Sequence, residues 1–452
     1  MRIVIIGCGN IGTTIVENLV SEGHDVIVVD ENADIVSTIT NSYDVMGVCG
    51  NGVDCETLTE AEVEKAELFI SVTGSDEFNM LSCFLAKRMG AKHTIARIRN
   101  PEYNDSSLGF LRQQLGLSLS VNPERLTAKE LFNSLKFPGA VNVESFSGRN
   151  FEIVELRLKE NSPLDGMKLS DIRRKYQAKF LVCAVQRDEA VYIPDGNFEL
   201  RSGDKIGLTA AQGEIQKLLK MLGIIRKQVK DVMILGAGRT TYYLAKLLES
   251  NGIAVKVVEK DREICREFCS SIPSAVVICG DATAPEFLLE EGLASMDAFV
   301  ALADNDEENV LLSFFAVANE VPKVVSMVNK SELSSMAEKL GLESTISPQK
   351  MVSNVLTRYA RALENSLGSN VETLYKIMDG KAEALEFNVQ NDFSHLGVPL
   401  KEMKLKPNIL LAGIIRNRKT LLPSGDDVIL VGDHVIVIST EHRLNDLSDI
   451  VE

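Results

Sequence analysis

Residues 7–12 read Gly-Cys-Gly-Asn-Ile-Gly and follow directly on the apolar run Ile3-Val4-Ile5-Ile6. Glycines at this spacing permit a tight turn, close approach of bare backbone to a pyrophosphate, and close packing of the next helix. That helix opens at Asn10 and Ile11, so amide hydrogens and a partial positive charge face the turn. Gly7, Gly9 and Gly12 therefore predict a phosphate cradle. Asp30 ends the next apolar run, eighteen residues beyond Gly12. A carboxylate there accepts hydrogen bonds from ribose hydroxyls and repels a 2′-phosphate, which favours NAD(H) over NADP(H).

A second turn, Gly236-Ala237-Gly238-Arg239-Thr240-Thr241, follows Val232-Met233-Ile234-Leu235. Gly236 and Gly238 repeat the first two glycines and Glu259 answers Asp30. Thr241 replaces the third glycine, which predicts slightly looser helix–strand packing. Arg239 stands where Asn10 stands in the first turn. A guanidinium there could pair with a terminal phosphate in bidentate fashion, which suits ATP or ADP; the alternative is an exposed surface arginine. More positions fall at the carboxyl ends of strands, where ligands of open α/β sheets sit. These are Asn51 and Asp281 after the third strand of each copy, Thr73 and Asn305 after the fourth, and Arg97 closing the fifth, with Met327 as its counterpart. Arg97 and Arg99 read equally well as phosphate contacts or as ordinary charged strand ends.

No catalytic grouping accompanies the turns. A dehydrogenase needs a general acid or base beside the nicotinamide, and the sequence has five histidines. His93 starts a strand, His24 lies in a turn, and the other three fall in the last small domain. No GxxxxGK[ST] argues for ATP hydrolysis. Cys265 and Cys269 are spaced i, i+4, but no second ligand pair joins them to make a metal site. An NAD-dependent oxidoreductase with an unrecognised substrate stays open as the rival reading.

These positions need a scaffold, and the sequence writes it twice. Apolar runs at 3–6, 26–29, 45–48, 68–72 and 94–98 alternate with helical patterns at 11–21, 32–41, 54–61 and 76–89. The order returns with strands near 232–235, 254–258, 275–278, 298–302 and 323–328. Apolar runs separated by helices predict a parallel sheet buried on both faces. Asp76-Glu77 and Asn79 answer Asp306-Glu307 and Asn309. After the first copy, FEIVELRL (151–158) alternates as a half-exposed antiparallel strand does. A helical piece near 165–176 follows, then FLVCAVQR, Pro194-Asp195-Gly196, and Gly203-Asp204 before KIGLTA; turn residues at this spacing suggest hairpins. ALEFNV, LLAGIIR, Pro423-Ser424-Gly425 and Gly432-Asp433 before HVIVIS repeat the pattern. The predicted fold class is α/β: tandem Rossmann-like doubly wound parallel-sheet domains, each followed by a small α+β C-domain. The expected boundaries are 1–138, 139–228, 229–368 and 369–452.

Composition narrows the partners. A chain of 452 residues with 45% hydrophobic content has room for several cores. A net charge of −16 argues against nucleic acid and against adsorption to an anionic membrane. No signal-peptide layout and no run near ~20 apolar residues occurs, so the expectation is a soluble, cytoplasmic protein. Cys8, Cys49, Cys183 and Cys279 lie in or beside strand-like runs and read as small hydrophobes.

Over essentially its whole length the chain resembles the regulator of potassium conductance family. The resemblance rests on GCGNIG with Asp30, SVTGSDEFNM (71–80), IARIRNPEY (95–103), GDATAPEFLLEEG (280–292), ALADNDEEN (301–309) and the duplicated plan. It implies Rossmann N-domains, each with a crossover helix and a small C-domain. It implies a tetramer whose N-domains close a ring beneath a membrane-embedded potassium transporter subunit. The protein would then sit peripherally on the cytoplasmic face, and NAD(H) or adenine nucleotides would bias the ring. In ATP-binding relatives an acid after an Asn/His-Pro pair helps hold a cation. Asn122-Pro123-Glu124 matches this, while Ser347-Pro348-Gln349 lacks the carboxylate; an ordinary first-turn glutamate is the alternative for Glu124. Regulation of a channel or an efflux system is the other open assignment.

Overall fold

The structure is a computed structural model. It describes the chain except residues 104, 137, 138, 140, 147–150, 161, 177–179, 211–213, 222–227, 343, 366–370, 379, 418, 441–443 and 445. The expected boundaries at 138 and 368 lie outside the described residues. The chain divides into two compact units: Met1–Lys129 with Ile346–Ala360, and Glu130–Thr345 with Arg361–Glu452.

In the first unit strand and helix alternate. The elements are β1 (Arg2–Ile6), α1 (Asn10–Ser21), β2 (Asp25–Asp30), α2 (Ala33–Ser42), β3 (Met46–Cys49), α3 (Cys55–Glu60), β4 (Leu68–Ser71), α4 (Asp76–Met89), β5 (His93–Arg97), α5 (Asp105–Leu115), β6 (Leu119–Val121) and the start of α6 (Pro123–Lys136). The strands form a parallel sheet in the order β3-β2-β1-β4-β5-β6. The order reverses beside β1, which places a ligand crevice at the carboxyl ends of β1 and β4. The central strands are buried because helices cover both faces. Ile15, Val16 and Leu19 hold α1 to the sheet, and Val4, Ile6, Val29, Phe69 and Ala96 anchor the other face. The short β6 is not among the expected strands, since three residues carry no periodicity.

The second unit holds the remaining three domains. The first small domain comprises β7 (Asn142–Ser145), β8 (Glu152–Arg157), α7 (Leu169–Tyr176), β9 (Phe180–Arg187), β10 (Ala190–Tyr192), β11 (Lys205–Ala210) and α8 (Glu214–Met221). Its antiparallel sheet runs β10-β9-β11-β8-β7. The second N-domain comprises β12 (Asp231–Leu235), α9 (Arg239–Ser250), β13 (Ala254–Glu259), α10 (Arg262–Ser271), β14 (Val276–Cys279), α11 (Pro285–Glu290), β15 (Ala298–Ala301), α12 (Asp306–Ala318), β16 (Lys323–Met327), α13 (Ser331–Lys339) and β17 (Thr345–Ile346), ordered β14-β13-β12-β15-β16-β17. Helix α14 (Pro348–Asn365) follows, belonging to the first unit as far as Ala360. The last domain has β18 (Val371–Ile377), β19 (Ala382–Asn388), β20 (Ile409–Arg416), β21 (Lys419–Leu421) and β22 (His434–Ser439), ordered β18-β19-β22-β20-β21.

One sequence expectation changes in the small domains. Strand β8 is not half-exposed, because both its faces are covered. Val154 and Leu156 enter the core of their own domain. Ile153 instead joins Ile377, Ala384, Ile436 and Ile438 in a core shared by the two small domains. Glu155 lies on that second face, accepting from the Met378 amide at 2.8 Å and pairing with Lys205 at 2.8 Å. A charged letter on a strand thus marked a buried interface pair. The hairpin between β9 and β10 turns at Asp188, which takes the left-handed φ of 53°, and the expected turn at Pro194-Asp195-Gly196 forms separately, the Phe198 amide donating to the Asp195 carbonyl at 3.2 Å. Gly203-Asp204 does form a turn into β11, with Gly203 at φ +89° and the Asp204 amide donating to the Arg201 carbonyl at 3.1 Å. Asp204 is buried and takes both arms of Arg187 at 2.8 Å. Asp433 and Arg416 repeat that fork. Among the described residues no helix is long and apolar enough to cross a membrane.

Candidate functional site

The first turn forms as its residues dictate. Gly7 adopts φ +90°, and its amide donates to the Val29 carbonyl at 2.9 Å. A Cβ on Gly12 would stand 2.0 Å from the Gly7 carbonyl oxygen, so only glycine lets α1 approach the strand this closely. At Gly9 a Cβ would meet nothing within 4 Å, which leaves the turn open to a ligand. No side chain caps α1, and its first turn holds no acid. Its N–H groups and dipole therefore face the crevice, where an anion satisfies both. Asn10 is exposed there and Ile11 half-buried.

Asp30 closes the turn. Its Oδ2 accepts from the Cys8 amide at 2.7 Å and its Oδ1 from the Asn32 amide at 2.9 Å. The carboxylate is thus fixed and partly exposed, with lone pairs left for donors from solvent or a ligand. Cys8 is buried, and burial pushes its thiol up to about 12, the Asp30 charge adding to the effect. That thiol is inert.

The second turn repeats this geometry with different side chains. Gly236 adopts φ +89°, and its amide donates to Val258 at 2.8 Å. Gly238 is open within 4 Å and α9 is likewise uncapped. Glu259 accepts from the Ala237 and Asp261 amides, each at 2.9 Å. Thr241 is fully buried, and its hydroxyl donates to the Gly236 carbonyl at 2.6 Å, so the second turn carries a side chain where the first has no room for one. Arg239 is exposed at the start of α9 and makes no ion pair among the described residues.

The other candidates divide into two groups. Asn51 and Asp281 sit at the ends of β3 and β14, exposed, each bent onto its own loop. Asn51 Oδ1 accepts from Val53 at 2.9 Å. Asp281 takes both the amide and the hydroxyl of Thr283, which hold its carboxyl below the usual range. Thr73 and Arg97 are tied into the scaffold. Asn79, fully buried, accepts from the Thr73 amide and hydroxyl at 2.8 and 2.7 Å and donates to the Arg97 carbonyl at 3.0 Å. It bridges the ends of β4 and β5. Asn309 repeats the bridge between Ala303 and Met327. Asp76 holds the amides of Arg99 and Asn100, each at 2.8 Å, and Asp306 holds those of Asn329 and Lys330. Asp76 and Asn79 were legible only as part of the repeat; the structure makes them pins of the crevice walls. Asn305 proves to be a helix cap, its oxygen taken by Glu308 N at 2.8 Å, and the true counterpart of Thr73 is Ala303.

Glu124 is committed elsewhere. Its Oε1 takes Arg99 Nε at 2.7 Å, both side chains being mostly shielded. The carboxylate is neutralised by a guanidinium, and among the described residues no group of three or more metal-ligating side chains occurs.

The outer face of α1 carries one feature that no motif announced. Thr14 donates to Gln349 Oε1 at 3.3 Å, and Asn18 donates to Ser353 Oγ at 2.6 Å, so α14 rests on the helix of the first turn. Further along, Tyr359 meets the edge of His93.

Comparison with known proteins gives a consistent result. The TrkA-N domain matches residues 3–123 and 232–348, and the TrkA-C domain residues 153–223 and 385–452. A Trk system potassium uptake protein TrkA homolog from Archaeoglobus fulgidus is 30% identical over 450 residues, covering 100% of both chains. The GsuK channel bound to NAD superposes with a TM-score of 0.62 at 17% identity, covering 97% of this chain and 77% of its own. GsuK bound to ADP gives 0.52 at 16% identity, over 81% of this chain and 69% of its own. At such identities the structural likeness speaks to the fold alone.

Proposed function

The chain belongs to the TrkA family, and from that premise we propose that it is the nucleotide-sensing regulatory subunit of a potassium uptake system and not a catalyst. One observation carries the reading: two open Gly-x-Gly turns, each with a carboxylate fixed by two backbone amides at the mouth of an uncapped helix. The first turn, with its complete glycine set and Asp30, is assigned to NAD(H). The second, with Arg239 beside the phosphate path, is assigned to ATP or ADP. Asn51, Asp281, Thr73 and Arg97 line or brace the crevices. The solved GsuK neighbours with NAD and ADP support both ligand classes.

The candidate acid–base residues support a non-catalytic role. His93 begins β5, at the opposite end of the strand from the crevice. Burial, with Lys87 and Lys92 nearby, pushes its imidazole below the usual range. His24 is buried just ahead of β2, also at the amino end of the sheet.

Control would work by population shift. A nucleotide moves an equilibrium only by its differential affinity for two arrangements. The α1–α14 contact is a suitable element, because a ligand at the mouth of α1 acts on the helix that α14 rests on.

The partner in this reading is a membrane-embedded potassium transporter subunit of the TrkH/TrkG type, and the assembly is a tetramer closing a ring. Both N-domains expose large apolar side chains at equivalent positions: Leu81 (49%) with Leu311 (69%), and Phe110 (64%) with Leu340 (65%). An apolar face presented twice suits contacts between copies. The decisive experiment titrates the full chain with NADH, NADPH and ATP, then assays NADH turnover with ketones, alcohols and amino acids. Tight NADH and ATP binding without turnover is expected. Steady turnover establishes an oxidoreductase instead, and a clean monomer at micromolar concentration overturns the ring.

A further inference from the structure

The second crevice carries thiols that the first lacks. Strand β13 pairs in register with β14, so Glu259 lies opposite Cys279. Cys265, buried on α10, donates its S–H to the Glu259 carbonyl at 3.4 Å. Cys279 is exposed and donates to the next carbonyl, that of Lys260, at 3.8 Å. The two thiols thus reach consecutive carbonyls, those of Glu259 and Lys260, at the end of β13. Cys269 lies one turn along α10, exposed. In the first half Val36 and Thr40 occupy the places of Cys265 and Cys269. Cys49 answers Cys279, its sulfur at 3.7 Å from the Glu31 carbonyl.

We propose that Cys265 and Cys279 form a reversible disulfide on exposure to hydroperoxide, and that this bond weakens nucleotide binding at the second turn while leaving the first untouched. The inference rests on the assignment of Glu259 as the acid that holds the ribose. Cys279, the exposed sulfur, attacks the peroxide oxygen. It becomes a sulfenic acid and releases water from hydrogen peroxide. The Cys265 sulfur then attacks the sulfenic sulfur, losing its proton as a second water leaves. Two thiols and one peroxide thus give one disulfide and two waters. Burial, with Cys279 and Glu259 adding to it, pushes the Cys265 thiol up to about 11. Cys265 is therefore the resolving partner and not the first target. Closing the pair to about 2 Å draws α10 against the end of β14. The Glu259 carbonyl loses its S–H donor, and the turn through Asp261, whose amide holds the Glu259 carboxylate, shifts with the helix.

The test uses the full chain, treated with hydrogen peroxide, alkylated, digested and analysed by mass spectrometry before and after dithiothreitol. A reducible cross-link between the Cys265 and Cys279 segments is expected. It should be lost in Cys279→Ser and in Cys265→Ala, and kept in Cys269→Ser. Calorimetry should find ATP at least fivefold weaker in the oxidised protein, with NADH affinity unchanged. Absence of the cross-link, or its loss in Cys269→Ser, overturns the pairing. A cross-link that leaves ATP affinity unchanged overturns the control of the site. Should the reduced protein bind no adenine nucleotide, the assignment of the second turn fails, and the proposed control of binding fails with it. The peptide map still decides separately whether the pair forms.

Discussion

In the first nucleotide turn the helix rests on bare backbone; in the second it rests on a threonine. Gly12 keeps α1 so close that a methyl group would overlap the Gly7 carbonyl. Thr241 satisfies the corresponding carbonyl with its own hydroxyl. The carboxylates differ in length by one methylene, yet each takes two backbone amides from the same two places. The frame of the turn thus tolerates side-chain change as long as its hydrogen bonds close. What differs is the surface offered to a ligand: Asn10 in one turn and Arg239 in the other. Duplication kept the cradle and altered what it presents to phosphate.

The largest effect is expected from Gly12→Thr, which copies the second turn into the first. A side chain forced into a filled site costs about 1–3 kcal/mol. The first domain should melt earlier and lose NADH binding. An unchanged melting point and affinity would mean that the two turns are interchangeable. Next comes Asp30→Ala, which removes an acid bound to two amides and, on this reading, to ribose. A loss of about 1.5–3 kcal/mol in NADH affinity is expected by calorimetry. Asp30→Glu, which imitates Glu259, should restore most of it while still excluding NADPH. If Asp30→Ala binds NADH normally, the acid serves the turn alone.

A smaller effect belongs to Arg239→Ala. The predicted change is roughly tenfold in ATP affinity, about 1.4 kcal/mol, with AMP little affected because it lacks the outer phosphates. Equal losses for both ligands would return Arg239 to the status of a surface residue. The smallest effect is expected from Glu124→Gln. It breaks a partly shielded pair with Arg99, worth about 1 kcal/mol or less, and should leave the magnesium dependence of ATP binding unaltered. A lost magnesium dependence would put a cation at Glu124 after all.

The repeat, the parallel sheets and both glycine turns were legible because glycine spacing and apolar runs are local signals. Asp30 and Glu259 were legible for the same reason, since each ends a strand at a fixed distance from its turn. The rest depended on contacts between distant segments. Asn79 and Asp76 read as echoes of Asn309 and Asp306, but their role as pins between strand ends needs β4 and β5 side by side. The polar letter at Glu155 suggested a wet strand face, because nothing local foretells a second small domain covering it. The contact of Gln349 and Ser353 with α1 joins residues more than three hundred positions apart, and no periodicity records it. Cys265 with Cys269 looked like the pair on a helix face, whereas strand register sets Cys279 opposite Glu259, whose carbonyl the Cys265 thiol reaches.

Competition binding on the intact chain decides whether the two halves read different nucleotides. NADH is titrated to saturation, and ATP is then added to the same sample while bound NADH is followed by its fluorescence. Two separate sensing turns predict that ATP binds with its own stoichiometry of one per chain and leaves NADH in place. If ATP displaces NADH completely, the two share one site, and the second turn is a structural partner that senses nothing.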